Sequence, residues 1–436
     1  MRRFIRPALT SAFTLAFICA TGAAAAQSAK EVRVGVLYDL TGPMASSGSY
    51  PSYLGTKYAI EMFNARGGVD GYTIKPIYVD AQSKVETAIN ETERLINQEK
   101  VDILLGVFPS SQCVPLAQKA DQSKVFMWAN ICVSSAVFKN KNLKYVFRPQ
   151  VDSDQFGPTS CEFLREFSKS KLGKEPKDLK VAVIYEDSPY GVGVSAGNET
   201  ACKERGMQIV LKEGYSAATP DLSSLVTKLK RARPDVILHT GQGQDITLFL
   251  RQAKEQGLKW QALIGHGAGY GLPDKLYSAA QGDADYILDV EPVGADLVNS
   301  ATLAPGLSDL VSEIMKRYKA ETKSDTVPPF VSMGFNGTWV FLNDVLPRAI
   351  RKYGGTNAEA LRKAALETDI PEGGTIQGFG VKFFPPGDVM AGQNSRASMP
   401  VVQYIDKKPH IVSPAASRTR EPVMPLPSTN GYAAAR

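Results

Sequence analysis

Histidine is scarce in this chain. Its 436 residues include three, His239, His266 and His410, and none stands at metal-ligand spacing from another. No Cys-x-x-Cys occurs, which removes a dithiol redox centre and a zinc ribbon from consideration. The glycine run Gly265–Gly271 follows an apolar stretch but lacks both the Gly-x-Gly-x-x-Gly pattern and the Lys-Ser/Thr ending of a phosphate cradle. No run of about 18 apolar residues follows the N-terminal leader, so no later membrane span is expected. Excess charge is small as well: 50 Lys and Arg face 44 Asp and Glu, too even a balance for the dense basic face that nucleic acid requires. The expectation is therefore no cofactor, no metal and no nucleic-acid partner.

The leader itself is distinctive. Arg2, Arg3 and Arg6 precede a mostly apolar Pro7–Cys19, and Ala24-Ala25-Ala26 supplies small residues for cleavage. Residues 1–26 thus read as a secretory signal peptide cut near Ala26. Ile18 before Cys19 fits a lipoprotein box poorly, so the expected product is a soluble exported protein. Cleavage removes three arginines and no acid, taking the formal charge from +6 to +3. It also takes five cysteines to four: Cys113, Cys132, Cys161 and Cys202. An even count in an exported chain suggests two disulfides, with three pairings open; four buried thiols are the alternative.

The organising stretch is Val32–Tyr53. An apolar run of strand length, Val32–Leu37, breaks at Thr41-Gly42-Pro43 into a loop holding Ser46, Ser47 and Ser49, and a helical pattern follows from about Tyr53 to Ala65. That order suits a parallel α/β sheet with a ligand at its strand ends. The loop offers hydroxyls and free N–H groups but no catalytic base. Strands and helices then alternate, and at Lys180 the pattern restarts: V-x-V-L-Y-D at Val34–Asp39 is echoed by V-x-V-I-Y-E at Val181–Glu186. Two similar doubly wound parallel-sheet lobes are expected. After Gly265 come a strand at Tyr286–Val290, helices at Leu307–Tyr318, about Val331–Leu346 and Ala358–Leu366, and short strands at Ile376–Phe384 and Val401–Ile405. This order implies several recrossings between lobes. Residues 413–436, rich in Pro, Ser and Ala, read as an extended tail.

Two motifs carry competing chemistry. Gly193-Val194-Ser195-Ala196-Gly197 matches the Gly-x-Ser-x-Gly of α/β-hydrolases, but the preceding strand ends near Tyr185, so Ser195 falls inside a helix and not on a strand-to-helix elbow. Pro109-Ser110-Ser111-Gln112 joins a strand to a helix. Ser110 or Ser111 can be a helix N-cap, and the same geometry offers hydroxyls and orphan N–H groups to an anion or carbonyl. His239 and His266 fall at strand ends, with His266, among glycines, the better ligand candidate.

The opening strand with Thr41-Gly42-Pro43, the phrase Ile60–Gly71, Asp80 before a helix, Gly106 followed by Ser110-Ser111, and Tyr190-Gly191 after a strand together resemble the leucine/isoleucine/valine-binding protein family, type I periplasmic solute-binding proteins of ABC importers. The resemblance spans about Glu31 to Val412. It implies two lobes joined by three crossovers: lobe 1 from 27–151 plus about 287–368, and lobe 2 from 152–286 plus about 369–412. Residue by residue, it places Ser110, Tyr190 and Phe330 at ligand-contacting positions. Three positions depart from the amino-acid binders: Val133 replaces a hydroxyl residue, Gln242 replaces a tyrosine, and Gly267 stands where an acid pairs with the ligand's ammonium. A buried ammonium needs a paired charge, so this reading disfavours an α-amino acid.

The resulting expectation is a monomeric, non-catalytic binding protein that closes by hinge motion on a small aromatic or other non-amino organic acid and delivers it to an inner-membrane ABC permease. Ser110, Ser111 and nearby N–H groups would hold a carboxylate. Asn130, Gln242 and His266 would add hydrogen bonds, with Tyr190 and Phe330 as walls and Ser47 and Cys132 completing the candidate set. Disulfides Cys113–Cys132 and Cys161–Cys202 would each stay inside one lobe. The alternatives are a secreted serine hydrolase using Ser195 with His266, a sensory ligand-binding subunit of a regulator, and, for the ligand, a branched-chain amino acid or amide.

Overall fold

A computed structural model describes residues 30–434. The expected signal peptide lies outside the described residues.

Lobe 1 begins with β1 (Lys30–Tyr38), α1 (Tyr50–Ala65), β2 (Tyr72–Asp80), α2 (Val85–Asn97), β3 (Ile103–Gly106), α3 (Ser110–Gln122), β4 (Phe126–Ala129) and β5 (Val146–Phe147). Its strands form one parallel sheet in the order β2-β1-β3-β4-β5. Helices cover both faces, so central strands such as Ile103–Gly106 are buried throughout and read as continuous apolar runs without alternation.

Lobe 2 repeats the plan with α4 (Phe156–Leu172), β6 (Lys180–Glu186), α5 (Pro189–Glu204), β7 (Gln208–Tyr215), α6 (Ser223–Ala232), β8 (Val236–Thr240), α7 (Gln244–Glu255), β9 (Ala262–His266), α8 (Pro273–Ala279) and β10 (Leu288–Val290). The chain then returns to lobe 1 with α9 (Leu307–Thr322), α10 (Pro329–Val340), α11 (Leu346–Tyr353) and α12 (Ala358–Leu366), followed by a small ladder of β11 (Asp369–Ile370) and β12 (Val381–Lys382). A last hairpin, β13 (Val401–Ile405) and β14 (Lys408–Ser413), extends the second sheet to β14-β13-β10-β9-β8-β6-β7. The parallel core of that sheet, β7-β6-β8-β9-β10, has the strand order of lobe 1, and the hairpin joins it antiparallel through β10 and β13.

Three boundaries differ from the sequence expectation. β10 belongs to the sheet of lobe 2, so the chain recrosses after Glu291 and not near residue 287. Val381 and Phe383 pack in the core of lobe 1 and Gln393 bridges to Arg148, whereas Ala397 and Met399 pack in lobe 2; the final crossing thus falls near residues 394–397 and not at 369. The tail is irregular but docked. Met424, Leu426 and Tyr432 are buried, Tyr432 stacks on Trp260 at 4.5 Å between ring centroids, and its hydroxyl donates to the Leu250 carbonyl. Two aromatic rings and aliphatic side chains supply enough apolar burial to hold a segment whose composition alone suggests a free end. The strand expected over Ile376–Phe384 shrinks to β12, because Gly378, at φ +85°, and Gly380 interrupt it.

α10 is buried on nearly every side, and two glycines permit this. A Cβ on Gly55 of α1 would lie 2.0 Å from the Val331 carbonyl oxygen, and one on Gly334 of α10 would lie 2.1 Å from that of Ser52. α1 and α10 therefore pack backbone to backbone. The cysteines pair Cys113 with Cys132 in lobe 1 and Cys161 with Cys202 in lobe 2, at Cα separations of 6.3 and 5.1 Å.

Candidate ligand-binding site

The C-terminal ends of the parallel strands in the two lobes face one another, the usual place for ligands in open α/β sheets. A small cavity lies between them, lined by residues of both lobes. Lobe 1 contributes Phe108, Pro109 and Ser110 from the turn between β3 and α3, Ile131 and Val133 beyond β4, and Phe330 and Met333 of α10. Lobe 2 contributes Phe156, Tyr190, Gln242, Ala268 and Glu291. The lobes also touch outside the cavity, where Ser134 Oγ donates to the Pro189 carbonyl at 3.0 Å and Lys275 Nζ donates to that of Ser46.

The walls are chiefly apolar. Phe108 and Phe330 meet edge to face, 5.5 Å between centroids. Polar groups are few. Ser110 is the first residue of α3, and Pro109 occupies the N-cap position without a side-chain cap, so the expected serine cap does not form. Instead Ser110 Oγ accepts the Ser134 N–H at 3.1 Å, which leaves the hydroxyl proton free. Pro109 O takes the N–H groups of Gln112 and Cys113. Among the described residues the N–H groups of Ser110 and Ser111 have no such partner, and with the helix dipole they can hold a carboxylate.

Glu291, just past β10, is the residue that sequence reasoning missed. It is 6 % exposed, and among the described residues no Lys, Arg or His lines the cavity with it. Burial, then the neighbouring Asp289, pushes its acid well above the usual carboxylate range, opposed by the Ala268 N–H. Burial likewise pushes Asp289, which accepts the Gly267 N–H at 3.0 Å, up to about 7. Gly267 explains why Glu291 fits: a Cβ there would lie 1.9 Å from Glu291 Oε2. The acid missing from position 267 is thus supplied by another strand into the same space, which overturns the sequence argument that the site had lost it.

Of the residues anticipated from sequence, Ser110, Tyr190, Gln242 and Phe330 line the cavity. The others have different surroundings. His266 is fully buried, with Nε2 3.0 Å from Ser160 Oγ and Nδ1 3.1 Å from Thr240 Oγ1. Burial pushes its pKa down to about 3, so it stays neutral; its backbone carbonyl, not its ring, faces the site by accepting the Tyr190 hydroxyl. Asn130 is also fully buried, with Nδ2 2.8–3.3 Å from Thr338, Gly334, Thr56 and Tyr38, so it ties β4 to α1 and α10. Cys132 is consumed in a disulfide, and its carbonyl accepts from the buried Arg148. Ser47 packs against Gly243 at the meeting of the lobes, away from the cavity that holds Ser110 and Glu291. Ser111 does not line the cavity. Ser195 is buried within α5 and donates to the Val192 carbonyl at 2.9 Å, a helix-surface bond with no histidine partner.

Two doubly wound lobes closing on a cavity between their strand ends define a bilobal ligand-binding protein of the type I periplasmic class. The chain belongs to the periplasmic binding protein family, whose model matches residues 31–408. It is 34% identical over 408 residues to Leu/Ile/Val-binding protein homolog 7 of Brucella abortus, covering 94% of this chain and 98% of that relative. Among solved structures it resembles a leucine-binding protein of Thermotoga maritima (TM-score 0.71, 19% identity, 88% of this chain and 98% of that one). It also resembles a solute-binding protein of an ABC transporter from R. palustris in complex with benzoate (TM-score 0.69, 16% identity, 88% and 96%).

Proposed function

We propose that the protein is the exported, non-catalytic solute-binding component of an ABC importer. In this reading it works in the periplasm as a monomer, closes its lobes around a small carboxylic acid with an apolar body, and presents the closed form to the permease. One observation carries this reading: the cavity at the facing strand ends takes its lining from both lobes, so a ligand there favours the closed arrangement over the open one. The N-terminus of α3 and Ser110 would take the carboxylate, and Phe108, Phe156 and Phe330 the body. A neutral Glu291 tolerates an acid that lacks an amino group. A second reading, an apolar amino acid, is favoured by the same residue, because an ammonium would pair with Glu291 and hold it ionised.

Mass spectrometry of small molecules released from the purified protein, followed by calorimetry with benzoate and leucine, tests the class. Titration in buffers of different ionisation enthalpy separates the two readings: an ammonium ligand expels the Glu291 proton, and a simple carboxylate leaves it in place. Small-angle scattering should show a smaller radius of gyration at saturation. An unchanged radius would overturn closure.

A further inference from the structure

Gln242 lines the cavity from lobe 2, and its neighbours decide which end of its amide meets the ligand. Its Nε2 donates to Glu186 Oε1 at 3.1 Å. Glu186 is completely buried at the end of β6 and does not line the cavity. Its carboxylate also accepts the Ser188 hydroxyl at 2.6 Å, the Ser188 N–H at 2.7 Å and the Gly191 N–H at 2.9 Å. Oε1 takes the Ser188 hydroxyl, the Gly191 N–H and the Gln242 amide, and Oε2 takes the Ser188 N–H, so the oxygen that faces Gln242 is an acceptor whether or not Oε2 carries a proton. The turn that carries Gln242 is pinned too: Asp245 accepts the N–H groups of Gln242 and Gly243, each at 2.9 Å. Among the described residues, nothing donates to Gln242 Oε1.

We infer that Glu186 is a positioning residue that turns the Gln242 carbonyl oxygen toward the ligand, so that this cavity selects acids which also carry an O–H or N–H donor. The inference rests on the carboxylic-acid reading above and adds the substrate's second functional group. The rest of the lobe 2 lining agrees with it. Tyr190 spends its proton on the His266 carbonyl, and Ala268 directs its N–H to Glu291. In the lobe 2 lining, Glu291, when protonated, and the second Nε2–H of Gln242 are the side-chain donors. A ligand without a donor buries the Gln242 oxygen unpaired, a loss that sites built for hydrogen bonding convert into strong discrimination.

The test is calorimetry on the full mature chain with benzoate, the 3- and 4-hydroxybenzoates, the 3- and 4-aminobenzoates, phenylalanine and leucine. The wild-type protein should bind its best donor-bearing acid at least about tenfold tighter than benzoate. In Gln242→Met, which keeps the length of the side chain and removes both polar ends, that ratio should fall below about threefold. Glu186→Gln, which lets the Gln242 amide rotate, should lower it as well; should that variant not fold, Gln242→Met decides alone. Benzoate binding as tightly as every donor-bearing acid, or a ratio unchanged in Gln242→Met, would overturn the inference while leaving the carboxylic-acid reading standing. Silence from the whole panel would overturn that underlying reading and the polarity claim together.

Discussion

The two lobes share a strand order but build their halves of the cavity from different chemistry. Lobe 1 offers neutral donors, the Ser110 hydroxyl and the first N–H groups of α3, in front of a buried hydrogen-bonded network that joins Asn130, Tyr38, Thr56 and Thr338. Lobe 2 stores ionisable groups: Glu186, Asp289, Glu291, His239 and His266 are all buried at or near its strand ends. Lobe 1 buries one acid at its strand ends, Asp39, which burial also pushes above the usual carboxylate range, so the linkage of stability to protons is concentrated in lobe 2 without being confined to it. The signs within lobe 2 oppose one another. Asp289, pushed up to about 7, keeps a proton in the native state that the unfolded chain releases, so its contribution is full at low pH and is lost as pH rises through about 7. His239 and His266, pushed down to about 3, contribute fully above the ordinary histidine value of about 6.5, and that contribution is lost as pH falls toward 3.

The largest expected effect follows from that contrast. Asp289→Asn keeps an oxygen for the Gly267 N–H and removes the alkaline penalty. Urea unfolding should show a gain of up to about 4 kcal/mol at pH 8 that vanishes near pH 4. A gain independent of pH would break the contrast between the lobes. On the lobe 1 side, Asn130→Ala should cost about 3 kcal/mol at any pH from 5 to 8, because it strands buried acceptors that Nδ2 now serves. Ligand affinity of the folded variant should change less than about threefold, since Asn130 lies outside the cavity; a tenfold loss would return it to the site.

His266→Leu should cost about 2 kcal/mol by unpairing Ser160 and Thr240. The telling comparison is with Glu291→Gln in a titration series. The Glu291 variant should flatten the pH dependence of ligand binding, whereas the His266 variant should leave it intact. The reverse pattern would restore the histidine to the role its glycine-rich neighbourhood suggests. Smallest of all, Ser195→Ala should change stability by less than about 1 kcal/mol, because its hydroxyl serves only a carbonyl in its own helix. A serine-directed covalent probe should leave the wild-type protein unlabelled at this position.

The histidine and the glutamate also show why part of the site could not be read in one dimension. His266 looked accessible because glycines surround it. Those glycines serve packing instead: a Cβ on Gly265 would lie 2.2 Å from the Tyr270 ring, and one on Gly267 would meet the Glu291 carboxylate. Glu291 gave no signal, because it follows a three-residue strand and precedes Pro292 with no motif around it. Its place in the cavity depends on β10 lying beside β9 in the second sheet. The tail misled for a related reason: composition reports what a segment can bury on average, not that Trp260 offers Tyr432 a surface.

Much was nonetheless written in the chain itself. The periodicity of Val32–Ala65 and its echo after Lys180 determined two parallel α/β lobes, since apolar runs of strand length alternating with amphipathic helices have few other ways to be buried. The order of small motifs determined the family, and the turn before α3 marked the anion-holding end of the site. Tertiary structure alone decided which polar groups reach the cavity and which are spent on one another. Strand ends from distant parts of the sequence converge there, and a buried polar side chain takes its chemistry from the partners that folding brings within 3 Å or so.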